Sequence, residues 1–249
     1  MDLPARPGLP TVGAMKGYGQ FCPVAVASEI FAERWTPLIL RELFCGSRRF
    51  GDLLRGLPLI SRTLLAQRLA QLEDVGVIRS SLLPSGRGRE YRLTPAGEEF
   101  RTAIDALGTW GQRWIHGRVD RKNLDPGLLM WDIHRRIALD RLPDARVVVR
   151  VDFRGLPPHC RGQRSWWLVL DRPDVDLCLK DPGFPVDLVV TADVAALTRV
   201  WLGDLRLVDA QRAGAVLLDG HTRWVRAFPN WLLLSGFAPV ERPRPAHAG

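Results

Sequence analysis

Apolar positions along this 249-residue chain change period near its middle. Up to about residue 115 they recur at three- and four-residue spacing, as on helices packed by one face, and beyond about 145 they gather into short runs broken by Gly and Pro. In the first part the pattern predicts a helix over 23–31. Thr36-Pro37 then offers an N-cap followed by a proline at the first helical position, opening a second helix over 36–44 that Gly46 ends. A third short helix fits 51–56. Pro58 breaks the chain, Ser61 caps a fourth helix over 62–75, and Gly76 terminates it. Strands are predicted at 77–83 and 90–93, around the glycine-rich tip Pro84-Ser85-Gly86-Arg87-Gly88-Arg89. Thr94-Pro95 repeats the cap-plus-proline start and opens a long helix carrying Phe100, Ile104, Leu107, Gly111 and Trp114 on a wide apolar face. Two helices joined by a short turn and followed by a hairpin give the winged-helix order.

The second part reads differently. Residues 122–127 have linker composition, and a short amphipathic helix over 128–142 stops before Pro143. Strands follow at 147–153, 166–171, 175–180 and 186–191, then helices at 194–202, 208–213 and 222–233, with a brief strand at 215–218 between the last two. The fold class is therefore α+β: a winged helix-turn-helix followed by a separate α+β domain. The expected division is a flexible arm over 1–20, a winged helix-turn-helix with its dimerisation helix over 21–120, a linker and short helix over 121–144, the α+β domain over 145–238, and a frayed tail over 239–249.

Composition is globular, with 46% hydrophobic and 25% charged residues, which excludes disorder over most of the length. The net charge of +8 points to a polyanionic partner, because cations that neutralise phosphates release condensed counterions. Its location says more than its sum: residues 1–122 hold 18 basic and 12 acidic side chains, and 123–249 hold 17 and 15. The four cysteines, Cys22, Cys45, Cys160 and Cys178, lack metal-like spacing, as do His134, His159 and His221, so no metal or cofactor is expected. The N-terminus has no apolar signal core, and runs such as Trp231 to Leu234 fall far short of the roughly 20 residues that cross a bilayer. A cytoplasmic protein without a membrane partner is expected.

A helical wheel gives the fourth helix two faces. Leu64, Leu65, Leu69, Leu72 and Val75 fall in one arc, the side packed on the domain. Thr63, Ala66, Gln67 and Ala70 lie opposite. Small residues and one amide suit close approach to base edges: Gln pairs bidentately with adenine, and Thr or Ala touches a thymine methyl. Arg62, in the first turn, suits a phosphate or guanine contact. Arg68 projects on the buried arc and reads as half of a structural ion pair with a carboxylate of the same domain. Arg87 and Arg89 on the wing tip, with Arg48 and Arg49 before the third helix, suit phosphate positioning.

Several separated motifs then carry a resemblance: Cys22-Pro23-Val24, Arg34-Trp35-Thr36, Leu38-Ile39-Leu40-Arg41-Glu42-Leu43, Arg48-Arg49-Phe50, Ile60-Ser61, Leu64-Leu65 with Arg68, Leu69 and Leu72, and Glu90-Tyr91 with Leu93-Thr94-Pro95 and Gly97. In this order, across about 22–115, the chain resembles the HxlR-type winged-helix regulators. Pro37 departs from the apolar residue more usual there. The resemblance implies a homodimer, built partly by the helix opened at Thr94, binding a palindromic operator on double-stranded DNA; a transcriptional regulator acting as a repressor is the leading expectation for the whole chain. It also makes Cys22 a candidate oxidant or electrophile sensor, since some members use a cysteine in that position; a helix N-terminus nearby would favour the thiolate.

In the second domain, Val186 to Asp193, then Leu197, Trp201-Leu202-Gly203-Asp204 and Ala210 with Ala213-Gly214, resembles the C-terminal half of sterol-carrier-protein-like domains. That resemblance implies helices covering a sheet around an apolar tunnel, for which Trp166, Trp201, Trp224, Phe228 and Trp231 are the candidate lining and an apolar small molecule the candidate effector. The same aromatic residues also suit a plain core or a dimer contact. Neither G-x-S-x-G, H-E-x-x-H nor a P-loop occurs, so no enzymatic activity is expected. A lipid-binding or transfer protein or an enzyme with an accessory DNA-binding domain, and an architectural DNA binder without effector, are the competing readings.

Overall fold

A computed structural model describes residues 17–115, 120–160 and 162–242, which form two compact units, one ending at Leu107 and one starting at Gly108. In the first unit the chain runs α1 (Pro23–Phe31), α2 (Thr36–Phe44), α3 (Phe50–Gly56), α4 (Arg62–Asp74), β1 (Ile78–Leu82), β2 (Arg89–Leu93) and α5 (Pro95–Glu99), and α6 (Arg101–Trp110) runs past its end. Its core is the apolar side that the helical spacing marked out: Ile39, Leu40 and Leu43 of α2 meet Leu53 of α3 and Leu65, Leu69 and Leu72 of α4. Most element ends fall within two residues of the sequence expectation.

Two differences have physical causes. Thr36 does not cap α2; it is buried inside the first turn, and the cap is Trp35, at φ 80°. A turn closed by the Thr36 N–H on the Glu33 carbonyl at 3.0 Å forces Trp35 into the left-handed region, a conformation costly for a bulky side chain. The long helix opened at Thr94 is interrupted at Phe100, which separates α5 from α6. That break lets Phe100 stack on Phe31 of α1, ring centroids 4.5 Å apart. Gly97 holds α5 close to the hairpin: a Cβ there would lie 2.1 Å from the Val77 carbonyl oxygen.

In the second unit α6 passes into a π-helical turn (Gly111–Ile115). After α7 (Pro126–His134) come β3 (Val147–Arg154), β4 (Ser165–Asp171), β5 (Asp174–Cys178) and β6 (Leu188–Asp193), then α8 (Val194–Trp201), α9 (Leu207–Arg212), β7 (Val216–Gly220) and α10 (Thr222–Trp231). The five strands form one sheet in the order β5-β4-β3-β6-β7, with β3 and β6 parallel and the other pairs antiparallel. Alternate residues of the three central strands, such as Val149, Leu168 and Val190, face a core closed by Met130 and Ile133 of α7, Leu197 and Val200 of α8, and Trp224 and Phe228 of α10.

The stretch expected to be a linker and helix over 121–144 is built into this unit instead. Leu124, Leu129, Met130 and Ile133 are core residues, and the helix stops at His134 rather than near Leu142. Extended pairing takes over there: Ile137 bridges Leu232, Ala138 N–H donates to the Trp231 carbonyl at 2.9 Å, and Leu233 N–H donates to the Arg136 carbonyl at 3.0 Å. The tail expected to fray from 239 is tied down as far as it is described, since Arg242 donates from Nε to the Gln112 carbonyl at 3.1 Å and faces Asp204 at 2.6 Å. Of the arm over 1–20, only 17–20 is described, without regular structure; 1–16 and 243–249 lie outside the described residues.

Candidate nucleic-acid interface

The helix that precedes the reading helix is fixed to α2 by a buried charge. Glu42 of α2 is fully buried, 2.7 Å from Arg41 and accepting from the Ser47 hydroxyl at 3.0 Å, while Arg41 also donates to the Gly56 carbonyl at 3.1 Å. This network locks the end of α3 to α2 just before the turn into α4. It also requires a glycine: a Cβ on residue 56 would lie 1.9 Å from Glu42 Oε2. Past the turn, Ser61 Oγ accepts from Leu64 N–H at 3.2 Å and sets the first residue of α4.

On α4, Leu65, Leu69 and Leu72 are buried, Leu64 and Val75 are packed against the core, and Arg62, Thr63, Ala66, Gln67 and Ala70 are exposed on the other side. The structure thus brings the four expected reading residues, Arg62, Thr63, Ala66 and Gln67, onto one open face. The Arg62 guanidinium lies over the Phe50 ring at 5.5 Å, which holds the arginine at the helix start without neutralising it. Arg68 is turned inward, ion-paired with Glu33 and donating to Gln71 Oε1 at 2.7 Å.

The hairpin of β1 and β2 pairs from Ile78 opposite Leu93 to Leu82 opposite Arg89. Its tip turns through Gly86 at φ 69° and Gly88 at φ 95°, and presents Arg87 to solvent. Arg89 is less free: it donates to Ser80 Oγ at 2.7 Å and faces Glu73 of α4 at 3.6 Å, so it anchors the wing to the helix as well as adding charge. Arg48 and Arg49 are drawn to the wing by backbone pairing, Tyr91 N–H to the Arg48 carbonyl at 2.8 Å and Arg49 bridging Glu90. Arg49 is exposed, whereas Arg48 is half-buried with its guanidinium on the Leu43 carbonyl at 3.3 Å. Arg79, which the sequence reading passed over, is exposed on β1 opposite Arg92. The alternation from buried Ile78 was the signal that could have found it. Among the described residues Arg49, Arg62, Arg79 and Arg87 make no ion pair.

Cys22 is the N-cap of α1, half-buried, and the Ala25 and then the Val24 backbone N–H groups hold its thiol pKa below the ordinary value. Burial instead raises Cys160 and Cys178. No cluster of three metal-ligating side chains occurs among the described residues, and no described helix is long and apolar enough to cross a membrane.

Of the aromatic residues expected around a ligand, Trp166, Trp224, Phe228 and Trp231 sit in the core of the second unit. Trp166 meets Phe153 edge-on at 5.3 Å, Trp231 packs on Trp224 and Phe228, and its indole N–H donates to the Arg141 carbonyl at 3.0 Å. Trp201 is buried in the same core and also lines a cavity of about 300 Å³ between α7 and α8.

A capped helix with small polar residues on its open face, preceded by a locked helix and followed by a cationic hairpin, defines a winged helix-turn-helix DNA-binding protein. The family model described as HxlR-like helix-turn-helix matches residues 30–118. An HTH-type transcriptional regulator of Synechocystis sp. is 39% identical over 98 residues, which is 39% of this chain and 73% of that one. One from Mycobacterium bovis is 46% identical over 93 residues, 37% of this chain and 58% of its own length. Among solved structures, the reduced form of the transcriptional regulator YodB from B. subtilis is 27% identical, with a TM-score of 0.35, covering 40% of this chain and 99% of that one. The chain belongs to the HxlR-like helix-turn-helix family and is a transcriptional regulator.

Proposed function

We propose that the chain is a homodimeric, sequence-specific repressor that acts in the cytoplasm on a palindromic operator and is controlled by a small molecule with an apolar body, bound in the second unit. The observation that carries the reading is the open face of α4, where Thr63, Ala66 and Gln67 are exposed beside Arg62, with Arg49 exposed at the start of α3. Phosphate contacts from those cations and from Arg87 would fix register, and the short side chains would read base edges. Dimerisation is supported by the solvent-facing stripe of α6 and the turn after it: Leu107, Trp110, Trp114 and Ile115 are 52, 56, 59 and 67% exposed. An isolated chain rarely leaves such an apolar run uncovered. A sterol-carrier-like role for the second unit is supported by its helix-covered sheet, and control by its cavity; on this reading the chain performs no catalysis.

The test is fluorescence anisotropy with duplexes from the DNA around its own gene, at several salt concentrations. The reading expects one duplex to bind on the order of a thousand times more tightly than unrelated DNA. Equal binding to all duplexes contradicts it.

A second reading, thiol-based sensing of oxidants or electrophiles, is favoured by Cys22 at the start of α1 with its lowered pKa. Diamide treatment then weakens operator binding in the wild type and not in Cys22→Ser. Unchanged binding after treatment removes this reading.

A further inference from the structure

Helix α7 presents Asp125, Leu128, Leu129 and Asp132 on one face, at the three- and four-residue spacing that stacks side chains along a helix. Helix α8 answers with Thr198, Trp201 and Leu202, and the cavity of about 300 Å³ lies between them, lined also by Ile115. That volume is at the lower end of the range for small-molecule sites. Its walls are apolar, its polar rim includes Asp120, Asp125 and Asp132, and among the described residues that line it none is a lysine, arginine or histidine.

The three carboxylates are not equivalent. Asp120 is 3.0 Å from Lys122, whose side chain and backbone N–H hold its pKa below the ordinary value. Asp132 is ion-paired with Arg135. Asp125 accepts the Leu128 N–H at 2.9 Å as the cap of α7, and no cation among the described residues pairs with it. A half-buried carboxylate beside leucines and Trp201 is an arrangement that a ligand cation completes.

We propose that this cavity is the effector site and that its ligand is a compact cationic amphiphile, an aromatic or alkyl body carrying one ammonium group, with Asp125 as the counter-ion and Leu128, Trp201 and Leu202 around the apolar body. The proposal rests on the reading that the second unit binds an effector, and it fixes the charge of that effector. It also relocates the ligand from the tryptophans of the core to the α7–α8 face.

Isothermal titration of the full chain with benzyltrimethylammonium, and with phenylacetate as the anionic comparator, tests it. The ammonium is expected to bind one per chain, at least about tenfold more tightly than phenylacetate, a difference near 1.4 kcal/mol. Asp125→Asn keeps the cap, because Asn serves that position as well as Asp, and is expected to abolish the preference. Leu128→Lys, which places a cation at a half-exposed wall position, is expected to abolish ammonium binding with the fold intact by circular dichroism. Overturning results are equal binding of the two probes, no binding of either, or a preference that survives Asp125→Asn or Leu128→Lys. Tighter binding of phenylacetate overturns the cationic class and leaves an effector in the second unit standing. Ammonium binding as expected, with operator affinity unchanged at saturation, upholds the site and overturns effector control.

Discussion

At the scale of single residues, position and chemistry separate side chains that the sequence makes look alike. Arg62 and Arg68 lie six residues apart on one helix, yet the first is exposed over Phe50 and the second is committed to Glu33. Gln67→Ala should therefore lose about 1–3 kcal/mol of discrimination at one base pair of each half-site, measured by competition among single-base operator variants. Arg68→Ala should lower the urea midpoint and leave base preference unchanged. The buried Glu42 makes Gly56 irreplaceable: Gly56→Ala should destabilise the first unit by about 1–3 kcal/mol, read from urea unfolding, because the added carbon meets a fixed carboxylate rather than a mobile tip. The helical wheel made the outward position of Gln67 and the inward one of Arg68 legible, since both follow from periodicity alone. The Glu42 network was not legible, because it joins a hydroxyl and a carbonyl from beyond α2; nor was the left-handed Trp35, because the turn that sets it is closed by backbone groups that carry no side-chain signal.

At the scale of elements, the wing and α7 show what packing adds. Arg87 stands free at the wing tip while Arg89 also ties the wing to α4 through Ser80 and Glu73. Arg87→Ala should weaken binding about equally on all sequences and reduce the slope of log affinity against log salt by about one. Retention of the full slope would deny the phosphate contact. In α7, His134 stacks on Trp131, and its Nε2 meets the Val175 carbonyl at 2.9 Å. Burial is the main cause lowering its pKa, with Arg135 also lowering it and Asp176 opposing. Since the unfolded chain then takes the proton more readily, this contribution to stability is complete above about pH 6.5 and declines below it, by at most about 1.4 kcal/mol per unit. His134→Leu should flatten that part of the melting temperature between pH 7 and 5; an unchanged slope would contradict the assignment. The strands of the second unit were legible to within about two residues from alternation and from Gly and Pro. The extent of α7 was not, because the backbone pairing of 136–138 with the segment after α10 outcompetes a helix that the local pattern would extend.

At the scale of the whole molecule, recognition of an inverted repeat requires two copies of α4 to meet one duplex. Trp110→Glu should shift the chain from dimer to monomer in sedimentation and lower operator affinity by at least tenfold, while a dimer that persists would place the subunit contact elsewhere. The central claim, that the open face of α4 reads DNA sequence, is tested most directly by selecting bound duplexes from a randomised pool with wild type and Gln67→Ala in parallel. Wild type should enrich an inverted repeat with half-site centres about one helical turn apart, and Gln67→Ala should keep that repeat while losing preference at one position in each half. Failure of the wild type to enrich any motif, or an identical motif from the variant, would contradict the account.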